Sequence, residues 1–474
     1  MSINLEQTRI NPEDQQFQPM LANLQCNILK SHGRDFAVHI FLKFTAQPDD
    51  VKAWIRNFSQ AHVTSALEQY HQNKNYTENG IRGGLVGAFF LSAKGYELLG
   101  FDVDRFEDND ETFREGMKHK DFDLFGKIFD KNNKDPDSDE WEAGFQEDIH
   151  AMILLARDNK NALKADAENV MAGVANVATV LTAEYGEVLR NKTHQGDDVK
   201  EQPIEHFGYV DGRSNPVFLE KDFQDDIKKE TAPGDDRWNP AANLSLVLVA
   251  DPHTDADDSF GSYFVFRKLE QNVKGFNSGI AELAGELGVD PNLAGAFCVG
   301  RFKDGTPVTL QGTDGLGAVN NFKYKPDDKS GKKCPAHAHI RKVNPRGTTP
   351  FTSLDSERNR RIVRRGIPYG EANNENPPSE GVGLLFMCYQ RDINEQFEFI
   401  QRTWADNPNF PRLLVFPGTG DDPLIGQDTD RSAAQNWSKG WGSSDREDFN
   451  FGGYITLMGG EYFFAPSISF LKSI

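Results

Sequence analysis

The stretch HIFLKF at residues 39–44 begins the fold, because it is a short apolar run of the length and composition typical of a buried β-strand. Further elements follow it in a regular order. The sequence predicts a helix, two strands, a helix and a strand, near residues 50–70, 85–91, 150–156, 159–171 and 177–185. This part of the chain therefore has the order β-α-β-β-α-β.

A second series of similar order occupies the rest of the chain. Strands are predicted at residues 244–250, 262–267, 383–389 and 454–464, with helices near residues 281–287 and 394–404. Two such series predict an α+β protein with two ferredoxin-like halves, at residues 20–225 and 240–474. The halves share no visible sequence identity, so this duplication is inferred from element order alone.

Composition excludes several classes of protein. The 474 residues are enough to bury a core around a prosthetic group, and the net charge of −20 disfavours nucleic acid and anionic membranes as partners. No run reaches the roughly 20 apolar residues needed to span a bilayer, and the first residues do not resemble a secretory signal. We therefore expect a cytoplasmic protein, with Cys26, Cys298, Cys334 and Cys388 as reduced core thiols.

Polar insertions rich in Asp, Asn, Gly and Lys separate the predicted elements. They lie at residues 102–140, 191–202, 225–239, 314–333 and 371–380. Such composition predicts surface loops. The acidic part at residues 104–139 is expected to be mobile, and we assign it no chemistry.

Three segments combine sharp turns with reactive side chains. The first is GYVDGRSNP at residues 208–216, where Asp211 lies at the tip of a glycine-rich turn. Glycines allow the backbone to approach a flat ligand, and the carboxylate can act as an acid or a base. Aspartate also favours turns for structural reasons alone, so this segment does not establish a site by itself.

The second segment is CPAHAHIRKVNPR at residues 334–346, with His337 and His339 two positions apart. On an extended backbone both rings point to one face, where either can bind a metal. No other ligand set with zinc-like spacing accompanies them. Haem needs one axial imidazole, so a single well-placed histidine is sufficient for it.

The third segment is RIVRRGIPYG at residues 361–370, which belongs to a cluster of five arginines. Its members are Arg358, Arg360, Arg361, Arg364 and Arg365. Arginine clusters usually lie on a solvated face or pair with carboxylates. In so acidic a chain this cluster can also bind propionates, peroxide or an acidic partner.

Taken together, the segments resemble the dye-decolourising peroxidase family, in its long-chain branch. Three further motifs match in the family's order: LQCNILK at residues 24–30, GSYFVFRKL at 261–269 and GLLFMCYQRD at 383–392. The resemblance runs from about residue 20 to the C-terminus. One departure is Cys26, where the family usually has glycine, and this puts a local turn in doubt.

The resemblance assigns the residues around the iron. His339, just before IRK, matches the axial ligand, and His337 is the alternative. Asp211 matches the distal acid–base residue. Arg364 matches the distal arginine, with Arg365 as the alternative.

The resemblance also implies contacts with the cofactor. Those expected to hold the porphyrin are Arg346 on a propionate, Gly212, and Leu384 and Phe386 over the distal pocket. Asp392 resembles the acidic residue that bonds the axial imidazole, and Glu395 is the alternative.

The implied function is that of a peroxidase with one haem b per chain, monomeric or homodimeric. It would reduce hydrogen peroxide and oxidise dyes or phenolics through a ferryl intermediate, with an acidic pH optimum because the base is a carboxylate. Tyr369 matches a surface oxidation site of some relatives, with Trp404 and Trp441 as alternatives. Rival interpretations are a haem-binding or iron-handling protein with incidental peroxidase activity, and an acidic structural protein without a cofactor.

Overall fold

The computed structural model describes residues 3–106, 111–118, 135–195, 198–228, 238–254, 256–349, 352–411, 419–427 and 434–474. Its strands are β1 Phe36–Phe44, β2 Val86–Leu91, β3 Ala151–Arg157, β4 Ala178–Glu187, β5 Leu189–Gln195, β6 Asp198–Ile204, β7 Val249–Ala250, β8 Phe260–Gln271, β9 Val363–Arg364, β10 Ile367–Tyr369, β11 Gly383–Gln390, β12 Gln435–Ser438, β13 Arg446–Phe449 and β14 Ile455–Ala465.

Helices lie between the strands and are mostly short. They are α1 Gln18–Asn23, α2 Pro48–His62, α3 Ala66–Asn79, α4 Ala93–Leu98, α5 Thr112–Glu115, α6 Ala143–Gln146, α7 Lys160–Val174, α8 Glu220–Lys228, α9 Val273–Leu287, α10 Pro291–Val299, α11 Tyr324–Asp327, α12 His339–Lys342, α13 Leu354–Asn359, the π-helix π1 Ile393–Ala405 and α14 Ile468–Ser473. Among the described helices, none is both long and apolar enough to cross a membrane.

A single antiparallel sheet joins both halves of the chain. Its main path has the strand order β10-β11-β8-β14-β2-β3-β1-β4. The N-terminal strands have the order β4-β1-β3-β2 and the C-terminal strands the matching order β14-β8-β11-β10, and β14 meets β2 where Phe464 pairs with Leu91. The prediction of an α+β fold with two ferredoxin-like halves is therefore confirmed. The boundaries 20–225 and 240–474 stay a prediction.

The second half differs from its predicted elements in one respect. Residues 244–250 do not form one strand, because Leu244–Leu246 is a 3-10 helix and only Val249–Ala250 pairs with β8. The strand that the sequence did not predict is β10, which pairs with β11 and contains Pro368. Proline lacks an N–H donor and is tolerated in an edge strand, so periodicity alone does not reveal this element.

Aromatic side chains fill the core around the sheet. Phe41 packs edge-on against Phe266 at a centroid distance of 4.7 Å, and Phe90 lies 4.6 Å from Phe264. A second cluster surrounds α9 and α10, where the rings of Phe207 and Phe276 stack 4.0 Å apart. This cluster anchors the start of the loop that carries Asp211.

Two of the predicted surface loops have structure. Residues 191–195 and 198–202 lie in strands β5 and β6, which pair antiparallel. In the acidic stretch, Asp135 is buried and forms an ion pair with buried Arg267 of β8, so at least this residue is held in place. Residues 107–110 and 119–134 of that stretch lie outside the described residues. All four cysteines are buried.

Candidate active site

A cavity of about 230 Å³ lies where β8, β9 and β11 meet α12, π1 and the segment 424–427. The loop 205–216 contributes a further part of the lining. Side chains that line it include Asp211, His339, Arg346, Arg364, Leu384 and Phe386. The structure thus brings together in one cavity residues that the sequence places far apart.

The loop that carries Asp211 turns sharply. Gly208 and Gly212 have φ values of 90° and 77°, in the left-handed region that favours glycine. The N–H of Asp211 donates to the carbonyl of Pro203 at 3.1 Å, and the N–H of Gly212 donates to Asp211 Oδ1 at 2.6 Å. These bonds fix the carboxylate at the tip of the turn, where it borders the cavity.

Arg364 meets this carboxylate from β9. Its Nη1 donates to Asp211 Oδ1 at 3.0 Å, and its Nη2 donates to the carbonyl of Arg213 at 3.1 Å. Both charged side chains are about one-third exposed, at 31% for Asp211 and 32% for Arg364. The pair is therefore fixed in geometry while still open to a small molecule in the cavity.

Arg365, the alternative to Arg364, points elsewhere. Its guanidinium donates to the carbonyls of Asn27 at 2.6 Å and Ile28 at 2.8 Å, and it does not line the cavity in the described structure. Burial lowers its pKa to about 10.

The LQCNILK segment departs from the family at Cys26, which put a local turn in doubt. The residue of this segment in the left-handed conformation is Asn27, at φ 69°. This removes the doubt about Cys26.

His339 begins α12 and borders the cavity. Its Nδ1 lies 2.9 Å from Oδ2 of buried Asp422, which leaves Nε2 as the nitrogen available to a metal. Burial would raise the pKa of Asp422. The charge and hydrogen bond of His339, and the N–H groups of Leu424 and Ile425, outweigh burial and lower it.

His337 lies away from the cavity. Its ring is buried against Trp437 at a centroid distance of 4.2 Å, and burial lowers its pKa well below the ordinary value. The expectation that both histidines point to one face is wrong, because the backbone turns into a helix at His339. Only His339 of the two borders the cavity among the described residues.

The expectation for Asp392 is wrong as well. Asp392 caps π1, where its Oδ1 accepts from the N–H of Glu395 at 2.8 Å, and the Glu395 carboxylate is paired with Arg360. The carboxylate on the His339 ring belongs to Asp422, which is 83 residues away in sequence. The GDDPLI turn at residues 420–425 was the available signal, but its distance from His339 gave no reason to connect them.

One part of the cavity is strongly cationic. Arg346 is buried and donates to the carbonyls of Asn320 at 2.9 Å and Phe322 at 2.8 Å, and to Ser214 Oγ at 3.2 Å. Burial, followed by the charges of Arg358 and Arg346, lowers the pKa of Arg361 to about 9. The arginines in the described lining are Arg213, Arg267, Arg301, Arg346, Arg361 and Arg364, against the acids Glu205 and Asp211. Asp135 pairs with Arg267 and Asp226 with Arg213, and the other four arginines still outnumber the two acids of the lining, which suits an anionic ligand.

Apolar side chains line another part. Leu384 and Phe386 alternate on β11 and both border the cavity, as expected from their spacing of two. Gly212 is not among the described residues that line it; this glycine supplies the turn between Asp211 and Arg213, which do.

The candidate surface aromatics differ in exposure. Tyr369 is half-buried, with Lys268 Nζ 5.1 Å from its ring centroid, and burial raises its pKa. Trp404 is 3% exposed and stacked 5.2 Å from Phe410, so it is no surface site. Trp441 is 38% exposed.

The residues present fit a haem. An imidazole nitrogen is available on His339, a carboxylate holds the other nitrogen, apolar side chains border the cavity, and arginines can meet two propionates. In the part of the chain that the structure describes, no cluster of three or more His, Cys, Asp or Glu side chains is arranged to hold a bare metal ion.

Known proteins resemble this chain over nearly its whole length. The sequence profiles described as "DyP dimeric alpha+beta barrel domain" and "Dyp-type peroxidase, C-terminal" match residues 23–190 and 202–416. The chain is 38% identical to the multifunctional dye peroxidase DyP2 of an Amycolatopsis species, over 96% of each chain. It is 32% identical to the dye-decolorizing peroxidase msp1 of Mycetinis scorodonius, over 81% of this chain and 75% of the relative.

Solved structures give the same result. A DyP-type peroxidase from Anabaena superposes with a TM-score of 0.90 and 41% identity, covering 99% of this chain and 98% of that one. A shorter match, 34% identical but over only 21% of this chain, is a deferrochelatase of Yersinia pestis. The chain therefore belongs to the dye-decolourising peroxidase family and is a haem-dependent peroxidase that acts on dyes.

Proposed function

We propose that the chain binds one haem b with His339 as the axial ligand, and uses Asp211 and Arg364 to reduce hydrogen peroxide. The observation that carries this proposal is the placement of two hydrogen-bonded pairs, His339–Asp422 and Asp211–Arg364, on one cavity. When bound, haem supplies the redox chemistry that breaks the O–O bond of peroxide and holds its oxidising equivalents.

The cationic side chains support a defined orientation of the haem. Arg346 and Arg361 would meet the propionates, since both are buried cations that border the cavity. Leu384 and Phe386 would cover the macrocycle and keep bulky molecules away from it. Asp422 would make the imidazole of His339 more electron-donating.

Asp211 would act as the proton carrier. It takes a proton from one oxygen of hydrogen peroxide and returns it to the other oxygen, which leaves as water. Negative charge develops on the leaving oxygen, and the Arg364 guanidinium, already bonded to Asp211 at 3.0 Å, would neutralise it. Because this base is a carboxylate and not an imidazole, we expect dye oxidation to be fastest at acidic pH.

Electrons from large substrates would enter through a surface aromatic side chain. Tyr369 lies on β10, whose neighbour β11 carries Leu384 and Phe386 of the cavity. This position supports Tyr369 as the oxidation site for dyes and phenolics. Trp441 is the alternative because it is more exposed. A homodimer fits the description of the matched N-terminal domain, and a cytoplasmic location stays a prediction from the sequence.

Substitution of each histidine tests the ligand assignment and distinguishes this proposal from a structural protein without a cofactor. The His339→Ala variant should lose the Soret band of a histidine-ligated haem, and imidazole added in solution should restore part of it. The His337→Ala variant should keep the band, because His337 does not border the cavity. Loss of the band in His337→Ala with retention in His339→Ala would refute the ligand assignment.

A further inference from the structure

Glu205 is a second carboxylic acid in the cavity that the peroxide reaction described above does not use. It borders the cavity together with Asp211. Its Oε1 accepts from the N–H of Tyr209 at 2.9 Å, and its Oε2 accepts from the N–H of Phe207 at 2.8 Å and from Gln271 Nε2 at 2.6 Å. Within the described residues, no lysine or arginine forms an ion pair with it.

These bonds close the turn that leads to Asp211. The carbonyl of Glu205 also accepts from the N–H of Gly208 at 2.9 Å, and its own N–H donates to the carbonyl of Tyr209 at 3.2 Å. The main chain and the side chain of Glu205 together therefore fix residues 205–209. This turn ends two positions before Asp211. A partly buried carboxyl group that accepts three hydrogen bonds restrains the turn more strongly than its glycine does alone.

The surroundings of Glu205 are poor in compensating charge. Burial is the largest influence and raises its pKa to about 7, while bonds from Phe207, Gln271 and Tyr209 oppose this shift and the charge of Asp211 adds to it. Lys303 is a further charged group near the turn, and its Nζ lies 5.8 Å from the Tyr209 ring centroid. The neighbouring His206 is turned away and bonds the carbonyl of Tyr369 at 2.7 Å.

Gln271 provides a second observation at the same place. It is 3% exposed and borders the cavity, and among the described residues its buried Oε1 has no hydrogen-bond partner. A protonated Glu205 can donate to this oxygen if the amide is turned over, since the two ends of a glutamine amide are interchangeable in shape. The pair is therefore compatible with either protonation state of the acid.

We propose that Glu205 is a positioning residue for the distal aspartate, whose carboxyl group holds the turn that leads to Asp211 through its bonds with Phe207, Tyr209 and Gln271. Since its pKa is raised to about 7, it would do so as a neutral acid at acidic pH and as a carboxylate above neutrality. In the acidic range Glu205 then adds no charge to the cavity. Above neutrality it adds one negative charge. The added charge beside Asp211 should weaken the binding of any anion in the cavity and slow the reaction with peroxide.

The test uses the haem-loaded protein and two variants. Glu205→Gln mimics the neutral acid in shape, and Glu205→Ala removes all three side-chain bonds. The rate constant for reaction with hydrogen peroxide and the dissociation constant for fluoride are measured between pH 4 and pH 9. Glu282→Gln on the exposed face of α9 is the matched control, since it removes one exposed carboxylate that is not among the described residues lining the cavity.

We expect the wild-type protein and Glu282→Gln to show an inflection in both quantities near pH 7, and Glu205→Gln to lack it. Glu205→Ala should keep its Soret band but lose roughly tenfold or more in the peroxide rate constant, as expected when a reacting group is displaced. An inflection that persists in Glu205→Gln, or an unchanged rate in Glu205→Ala, would overturn the inference.

This inference rests on the proposed role of Asp211, and the two can fail separately. If Asp211→Asn reacts with peroxide as fast as the wild-type protein, the proposed function fails. If Asp211→Asn is slow but both Glu205 variants behave like the wild-type protein at every pH, only the role of Glu205 fails.

Discussion

Asn215 binds the main chain of Arg364 through both ends of its side-chain amide. Its Nδ2 donates to the Arg364 carbonyl and its Oδ1 accepts from the Arg364 N–H, each at 3.2 Å. On its other side, β9 pairs with β11. The amide thus takes the place of a neighbouring strand, and it joins the loop of Asp211 to the strand of Arg364.

Replacing Asn215 should disturb this alignment. In Asn215→Leu both bonds are lost, so the guanidinium is less well placed and we expect a peroxide rate constant about tenfold lower. The loss of two partly buried bonds should also reduce the free energy of unfolding by about 1–3 kcal/mol. Stopped-flow absorbance and thermal unfolding measure the two effects. Asn79→Leu, at an exposed site on α3, is the control. Equal peroxide rate constants in the two variants would contradict a role for Asn215 in placing Arg364.

The contact between Asp422 and His339 makes a separate prediction. Asp422→Asn removes the carboxylate charge that faces the imidazole of His339, so the Fe(III)/Fe(II) potential should rise and the peroxide rate constant should fall by about 10- to 100-fold. Redox titration of the haem protein measures the potential. Asp392→Asn is the control, because Asp392 caps π1 and does not touch the ring. A potential unchanged in Asp422→Asn, or shifted equally in Asp392→Asn, contradicts this role.

The acidic optimum depends on the kind of base at position 211. A histidine titrates near pH 6.5, about 2.6 units above a free aspartate, so Asp211→His should lose activity at low pH and keep part of it near neutrality. Activity should fall at low pH because the histidine can act as a base only when it is deprotonated. Steady-state dye oxidation from pH 3 to pH 8 tests this expectation. Identical profiles for the variant and the wild-type protein would mean that another group limits the rate.

Large and small substrates should respond differently to changes at Tyr369. Tyr369→Phe should lower turnover of a bulky anthraquinone dye and leave the peroxide rate constant unchanged, because the cavity itself is intact. Trp441→Phe is the comparison, since that side chain is exposed at 38%. If only Trp441→Phe slows the dye, electrons enter there; if neither does, the entry site lies elsewhere.

The family that the three motifs resemble predicted residues that border one cavity. Asp211, His339, Arg346 and Arg364 all border it. The element order likewise predicted both halves of the sheet, since strands such as β1 and β3 are continuous apolar runs.

The features that were missed depend on contacts between distant residues. Asp422 has no motif of its own and approaches His339 only through the folded chain. Asp135 sits in an acidic stretch that looked solvated, yet it neutralises buried Arg267. Strand β10 was not predicted because it contains Pro368, and proline weakens the sequence pattern of a strand. In each case the decisive partner is remote in sequence.

The most direct measurement is the absorbance of the haem-loaded protein after addition of one equivalent of hydrogen peroxide, followed in the wild-type protein, Asp211→Asn and Arg364→Leu. The account predicts a Soret change within milliseconds in the wild-type protein and a rate constant about 100- to 1000-fold lower in Arg364→Leu, with a large loss in Asp211→Asn. Wild-type rates in both variants, with normal haem content, would contradict it.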